Sequence, residues 1–69
     1  MKLIVTYIHE DRTTTRDYGE FIAHRVFEER GRKHYAFEFE AYEVEWSAPV
    51  ASSFEIVGNE ARIVIDWTK

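Results

Sequence analysis

Residues 34–46, HYAFEFEAYEVEW, alternate large apolar side chains with glutamate along almost their whole length. Such alternation is typical of a β-strand with one buried face, because successive side chains of a strand point to opposite sides of the sheet. The parity changes once, near Ala41 and Tyr42, where a β-bulge would keep the large side chains on one face. The sequence therefore predicts one long strand from Tyr35 to Trp46. Its exposed face would carry Glu38, Glu40, Glu43 and Glu45.

The charge of the chain is concentrated in the same region. The 69 residues have a net charge of −4, yet residues 34–61 contain six glutamates and neither lysine nor arginine. An exposed strand face that served solubility alone would mix charges, because like charges on neighbouring strands destabilise a sheet. Phosphate binding requires cations, so this segment is not expected to bind nucleic acid directly. A basic protein surface is the expected partner.

The composition indicates one small folded domain over residues 1–69. Hydrophobic residues make up 45% of the chain and aromatic residues 16%, which is enough for a core even at this length. There is no cysteine, so disulfides and thiolate metal sites are excluded and a reducing, cytoplasmic location is expected. The apolar run near residue 1 is too short for a signal peptide or a membrane helix.

Further strands are predicted at both ends of the sequence. Lys2–Ile8 has apolar residues of both parities, which is typical of a central strand. Residues 54–57 and 61–67 flank Gly58-Asn59 and predict a hairpin. The loop before this hairpin, residues 47–53, contains the single proline. The inward side chains of the hairpin would be Phe54, Ile56, Ile63, Ile65 and Trp67.

Residues 15–30 have two possible structures. A helix is favoured, because Tyr18, Phe21, Ile22 and Val26 follow helical spacing. Thr14 could cap its start, and Gly31 could end it beside the cations at its C-terminus. The alternative is a hairpin in which FIAHRVFEE pairs with KHYAFEFE across Arg30-Gly31-Arg32. With the helix, the predicted fold is α+β, with one helix packed on a small antiparallel sheet in the order β-α-β-β-β.

The sequence offers few groups for catalysis. On the predicted helix, Glu20, His24 and Glu28 would line one face and could bind a metal or buffer a base. The same spacing is also typical of a solvated helix face. No serine has the glycine context of a nucleophile elbow, and the three glycines form no phosphate-binding loop. We therefore expect a protein that is not an enzyme, with no catalytic residues, no metal and no cofactor.

The acidic residues are the candidate partner-binding site. If the last two strands also expose their carboxylates, the sheet presents a broad acidic surface. Tyr42 or Trp67, if exposed near its rim, would supply anchoring contacts that charge alone does not. The predicted site consists of Glu38, Glu40, Glu43, Glu45, Glu55 and Asp66.

A short, cysteine-free, acidic and aromatic-rich α+β domain with glutamates concentrated on HYAFEFEAYEVEW resembles the phage-encoded anti-CRISPR proteins, particularly the acidic inhibitors of type I systems. The resemblance is one of size, charge and architecture. It implies a protein that acts in the host bacterial cytoplasm and binds a Cas subunit, blocking the engagement of target DNA without catalysis. By this analogy Glu38, Glu40, Glu43, Glu45 and Glu55 would be the contacts.

The sequence thus leads to one functional hypothesis and one alternative. The hypothesis is a non-enzymatic inhibitor that covers a basic, nucleic-acid-binding protein surface with an acidic sheet face. The alternative is a general interaction module or antitoxin that binds through an apolar or edge-strand surface. A monomer is favoured over a dimer, although strand addition at an edge would allow a dimer.

Overall fold

The computed structural model describes all 69 residues and contains seven β-strands and no helix. The strands are β1 (Lys2–Ile8), β2 (Thr13–Glu20), β3 (Ala23–Glu29), β4 (Arg32–Glu38), β5 (Glu43–Ser47), β6 (Ala51–Val57) and β7 (Glu60–Asp66). They form a four-stranded sheet in the order β2-β1-β7-β6 and a three-stranded sheet in the order β3-β4-β5. The structure accordingly contains no helix that could span a membrane.

The two sheets pack against each other through one apolar core. Strands β1 and β7 are parallel, and every other neighbouring pair is antiparallel. The four-stranded sheet contributes Leu3, Val5, Ala51, Ala61, Ile63 and Ile65. The three-stranded sheet and the turn after β4 contribute Tyr35, Phe37 and Phe39. Aromatic contacts such as Phe37 with Phe54, at 5.9 Å between ring centroids, join the sheets.

The predicted α+β fold is wrong, because residues 13–29 form two strands instead of a helix. Thr13, Thr14 and Thr15 are β-branched, which disfavours a helix and suits a strand. They pair with the end of β1, and Thr14 caps no helix. Gly19 has a φ of +84°, far from a helical conformation. The predicted antiparallel sheet is also incorrect, since β1 and β7 run parallel.

The hairpin that was the alternative for this region is confirmed. Strands β3 and β4 pair in continuous register across Arg30-Gly31. Both turn residues have positive φ, +54° for Arg30 and +77° for Gly31. This is the two-residue turn of type I′, whose twist matches that of the flanking strands. Gly31 therefore reverses the chain between two strands and does not end a helix.

Arg30→Asn is expected to stabilise the protein. An L-residue other than glycine is strained by about 1–2 kcal/mol in this conformation, and asparagine tolerates it better than arginine. We expect the free energy of unfolding to rise by about 1 kcal/mol, which corresponds to roughly 4–8 °C in Tm for a domain of this size. Thermal melts followed by circular dichroism measure this. Arg32→Asn, outside the turn, is the control, and an equal or larger rise there would contradict the turn argument.

The single long strand predicted for Tyr35–Trp46 is wrong. The chain reverses at residues 39–42, so that β4 and β5 are separate antiparallel strands. The Phe39 N–H donates to the Tyr42 carbonyl oxygen at 2.8 Å and closes the turn. The change of parity near Ala41 marks this turn and not a bulge. A bulged single strand and a tight turn both keep Phe37 and Val44 on the same face. The alternation of the sequence alone therefore could not distinguish a bulge from a turn.

Other predicted strands are confirmed. β1 is central, with β2 on one side and β7 on the other. The last two strands pair across Gly58-Asn59, where Gly58 has a φ of +60°. Strand β6 begins at Ala51, inside the predicted loop. Trp67 and Ile56 were expected to point inward. Trp67 lies beyond β7 and is 51% exposed, and Ile56, on the edge strand β6, is 46% exposed.

Candidate interaction site on the acidic hairpin

The end of the three-stranded sheet formed by the β4–β5 turn carries the predicted glutamates. Glu38 and Glu43 are directly opposite each other in the ladder, and Glu45 lies opposite Ala36. Tyr35 and Phe37 face the core, so these glutamates project from the outer face of the sheet. Glu40 is exposed at the tip of the turn. We call residues 38–45 the acidic hairpin.

Three carboxylates of the acidic hairpin have no cationic partner. The salt bridges of the protein involve none of Glu38, Glu40 and Glu43. The β-carbons of directly opposite residues in an antiparallel pair lie about 5 Å apart, so Glu38 and Glu43 repel each other. The fold therefore retains an unfavourable pair of like charges. Replacing either glutamate by a cationic residue would stabilise the fold.

Glu43→Lys is accordingly expected to raise stability. An opposite-charge pair at this place contributes roughly 0.2–1 kcal/mol, and the substitution also removes the repulsion. We expect Tm to rise by a few degrees, measured by thermal melts at low ionic strength and again at about 1 M salt, where the Debye length falls to ~3 Å. The gain should shrink in high salt. A lower Tm than wild type at low salt would contradict the direct opposition of Glu38 and Glu43.

Glu45 belongs to a different arrangement on the same face. Its carboxylate is 3.0 Å from Nδ1 of His34. The His34 ring stacks on Phe27, with centroids 5.0 Å apart and planes 9° from parallel. The guanidinium of Arg25 lies 4.8 Å from the centroid of the same Phe27 ring. These contacts fix the side chains beside the acidic hairpin, which leaves Arg25 engaged with an aromatic ring and in no salt bridge.

Two exposed apolar side chains lie next to the unpaired carboxylates. Tyr42 is 48% exposed, and its ring stacks on the buried Phe39 with centroids 4.8 Å apart. Ile22 is 65% exposed, and its N–H donates to the carbonyl oxygen of Glu38 at 2.7 Å. The contact with Phe39 therefore restricts the Tyr42 ring, as is favourable for an anchor residue. Trp67 is the other aromatic residue considered for this role. It lies beside the last residue of β1, Ile8, whereas Ile22 lies near the first residue of β1. Trp67 is therefore distant from Ile22.

Glu55 and Asp66 do not join the acidic hairpin. Both lie on the outer face of the four-stranded sheet, on the other side of the core. Glu55 is opposite Arg62 in the ladder, and the Arg62 guanidinium is bonded to Glu60 at 2.8 Å. Asp66 accepts hydrogen bonds from the hydroxyl and the N–H of Thr68, and these bonds lower the pKa of the Asp66 carboxyl. The predicted broad acidic surface is thus divided between two opposite faces.

The outer face of the three-stranded sheet has no room for a substrate. One shallow concavity of about 50 Å³ lies over Ala36, whose small side chain leaves space between Arg25 and Glu38. Ligand pockets usually measure about 300–1,000 Å³, so this one has room for only a few water molecules. The acidic hairpin is an exposed surface and not a cleft.

The candidate metal set is not assembled. His24 and Glu28 are four residues apart on one strand, roughly 13 Å along β3, because the helical spacing that would have brought them together is absent. Glu20 ends β2 and binds the N-terminal amine at 2.8 Å. No group of three His, Cys, Asp or Glu side chains has a geometry that could hold a metal ion.

A partly buried tyrosine pair is the most perturbed titratable group. The hydroxyls of Tyr7 and Tyr18 are hydrogen-bonded, and the Arg16 guanidinium lies 4.3 Å from the Tyr18 ring centroid. Burial, together with the hydrogen bond between the two hydroxyls, raises the pKa of Tyr7. Trp46 packs edge-on against both tyrosines. The pair is enclosed by aromatic rings between the sheets, so we interpret it as a satisfied polar element of the core.

Sequence reasoning missed Ile22 and the Arg25–Phe27–His34 arrangement. The alternation of AHRVFEE was the available signal, since as a strand it places Arg25 and Phe27 on one face. Reading this segment as a helix separated the two residues. Comparisons with protein-family models, curated proteins and solved structures find no match for the chain.

Proposed function

We propose that this protein is a non-enzymatic inhibitor whose acidic hairpin covers a basic, nucleic-acid-binding surface of another protein. The observation that carries the proposal is the group of unpaired carboxylates, Glu38, Glu40 and Glu43, with the exposed Tyr42 and Ile22 as their neighbours on the chain and across the ladder. A set of like charges that destabilises the free fold is best explained by a partner that supplies the missing cations.

The mechanism follows from the chemistry of the acidic hairpin. Its carboxylates occupy arginine and lysine side chains that would otherwise contact phosphates, while Tyr42 and Ile22 bury apolar area at the border of the contact. A full imitation of duplex DNA is not required. Duplex DNA carries one charge per about 1.7 Å of axis, whereas one hairpin offers only four carboxylates. The inhibitor occupies part of the binding surface and excludes the nucleic acid sterically.

A Cas subunit of a type I surveillance complex is the specific partner implied by the resemblance to anti-CRISPR proteins. The architectural part of that resemblance no longer applies, because the chain has no helix. The small size, the net charge of −4 and the concentrated glutamates still support it. Action on such a complex would take place in the bacterial cytoplasm.

The proposal is tested by competition with DNA. Purified surveillance complex is bound to fluorescently labelled target duplex, and the protein is added at increasing concentration. We expect the fluorescence anisotropy to fall as the duplex is displaced. In the absence of DNA, the affinity of the protein for the complex should fall as salt increases. Full retention of the duplex, with the protein also absent from the complex by gel filtration, would reject a Cas subunit as the target. The same assay on other basic nucleic-acid-binding proteins would then test the broader proposal.

A general interaction module or antitoxin is the second candidate. It is favoured by Ile56 and Val57 on the edge strand β6, whose exposed fractions are 46% and 41%. This surface lies on the four-stranded sheet, away from the acidic hairpin. Binding through it would depend weakly on salt and would be unaffected by changes at Glu38, Glu40 and Glu43. It would instead be weakened by Val57→Ser, which leaves the acidic hairpin intact.

A further inference from the structure

Strand β3 is the one edge of the two sheets that is both long and regular. The other edges are interrupted or short: β2 and β6 each contain an irregularity in their register, and β5 has only five residues. β3 pairs with β4 in unbroken register over seven residues and contains neither proline nor lysine. A long, regular and exposed edge of this kind is a template for another strand.

The backbone groups available at this edge follow from the turn. In a type I′ two-residue hairpin the residues that flank the turn, Glu29 and Arg32, form a hydrogen-bonded pair. Because hydrogen-bonded pairs alternate along an antiparallel ladder, Arg25 and Phe27 also bond to β4. The N–H and C=O groups of His24, Val26 and Glu28 therefore point away from β4, toward the free edge.

The side chains of β3 are complementary to a second copy of the same strand. In antiparallel pairing centred on Val26, His24 faces Glu28 of the second copy. Arg25 faces Phe27 of the second copy, the same cation–aromatic combination that the chain already forms within β3 at 4.8 Å. Val26, 41% exposed, meets its own equivalent. No like-charged pair is created, and all the free backbone groups of His24, Val26 and Glu28 are satisfied.

The same operation fails at the other regular edge of this sheet. Self-pairing of β5 centred on Glu45 would oppose two Glu45 side chains, and centring it on Val44 would oppose Glu43 to Glu45. Like charges directly opposite each other destabilise a pair of strands. The glutamates thus protect β5, whereas the charges on β3 favour association.

We infer that two copies of this chain associate through antiparallel pairing of their β3 strands, forming one continuous six-stranded sheet in the order β5-β4-β3-β3-β4-β5. The two-fold axis is perpendicular to the sheet, so the outer faces of both copies continue into one surface. Each acidic hairpin lies at the end of β3 that begins with Ala23. The dimer therefore presents two acidic hairpins at diagonally opposite corners of one face, and the inference is independent of what they bind.

Amide hydrogen exchange at low and high protein concentration tests the dimer with residue resolution. We expect protection of the His24, Val26 and Glu28 amides to increase with concentration, while Arg25 and Phe27, already bonded to β4, stay unchanged. Sedimentation equilibrium over the same range should give a mass rising from one copy to two. Unchanged protection at these three amides together with a single-copy mass up to about 1 mM would overturn the inference.

Val26→Pro is the matched variant. Proline removes an N–H that points to the free edge, so pairing with β4 is kept while the centre of the dimer loses its hydrogen bonds. The dissociation constant should rise at least about tenfold, since each 1.4 kcal/mol is a factor of ten. A Val26→Pro variant that dimerises as tightly as wild type would contradict pairing through β3.

A pair of charge substitutions keeps the test valid if Val26→Pro does not fold. His24→Glu alone opposes a carboxylate to Glu28 of the second copy and should weaken the dimer. Adding Glu28→Gln to it removes this repulsion and should recover association. If the double variant recovers nothing, the register centred on Val26 is wrong.

Discussion

Replacing Glu38, Glu40, Glu43 and Glu45 by glutamine is expected to weaken binding to the basic partner roughly fiftyfold and to leave the fold intact. Exposed ion pairs contribute roughly 0.2–1 kcal/mol each, so four pairs at the middle of that range amount to about 2.4 kcal/mol. Glutamine has nearly the same shape as glutamate and keeps the hydrogen-bonding capacity that His34 uses. Titration calorimetry with the purified partner measures the affinity.

Stability and binding should respond in opposite ways to this substitution. Removing the repulsion between Glu38 and Glu43 should leave Tm equal to or slightly above that of wild type. The matched control removes the same number of charges elsewhere, from exposed side chains outside the acidic hairpin: Glu10→Gln, Asp11→Asn, Glu29→Gln and Glu55→Gln. If this control weakens binding as much as the hairpin variant, net charge is responsible and the acidic hairpin is not the interface.

Phe37→Ala is expected to unfold the protein at 25 °C. Phe37 is 1% exposed and contacts Phe21, Trp46 and Phe54, so its ring joins both sheets. Truncating a buried phenylalanine costs about 3–5 kcal/mol, and a domain of this size rarely has more than about 3–5 kcal/mol of stability. Loss of the dispersed amide signals in a two-dimensional NMR spectrum would report unfolding.

The control for Phe37→Ala is Ile22→Ala, at a side chain that is 65% exposed. This variant should change the free energy of unfolding by no more than about 0.5 kcal/mol. A cooperative thermal transition for Phe37→Ala within a few degrees of wild type would mean that the two sheets do not share the core described above.

The sequence predicted the strands that alternate and missed how the chain turns between them. A glycine after a helix and a glycine in a type I′ turn adopt the same left-handed conformation, so Gly31 is compatible with both. Likewise, a bulge and a tight turn both restore the inward parity of Phe39 and Val44. Which alternative forms depends on contacts distant in sequence, such as those of Thr13–Thr15 with β1.

The candidate site was predictable where it is local. Glu38, Glu40, Glu43 and Glu45 are close in sequence, so any strand or hairpin keeps them together. Glu55 and Asp66 were assigned to the same surface because one sheet was assumed, whereas the chain forms two sheets with opposite outer faces. Ile22 joins the site only because the chain crosses from β2 to β3 beside Glu38.

The proposed interface is tested most directly by NMR mapping on the wild-type protein. Unlabelled partner is added to isotope-labelled protein, and the amide signals are followed residue by residue. We predict the largest changes at Ile22 and along residues 38–45, with the signals of Glu55 and Arg62 nearly unchanged. Changes centred on β6 and β7, with the acidic hairpin unaffected, would contradict the account and place the interface on the four-stranded sheet.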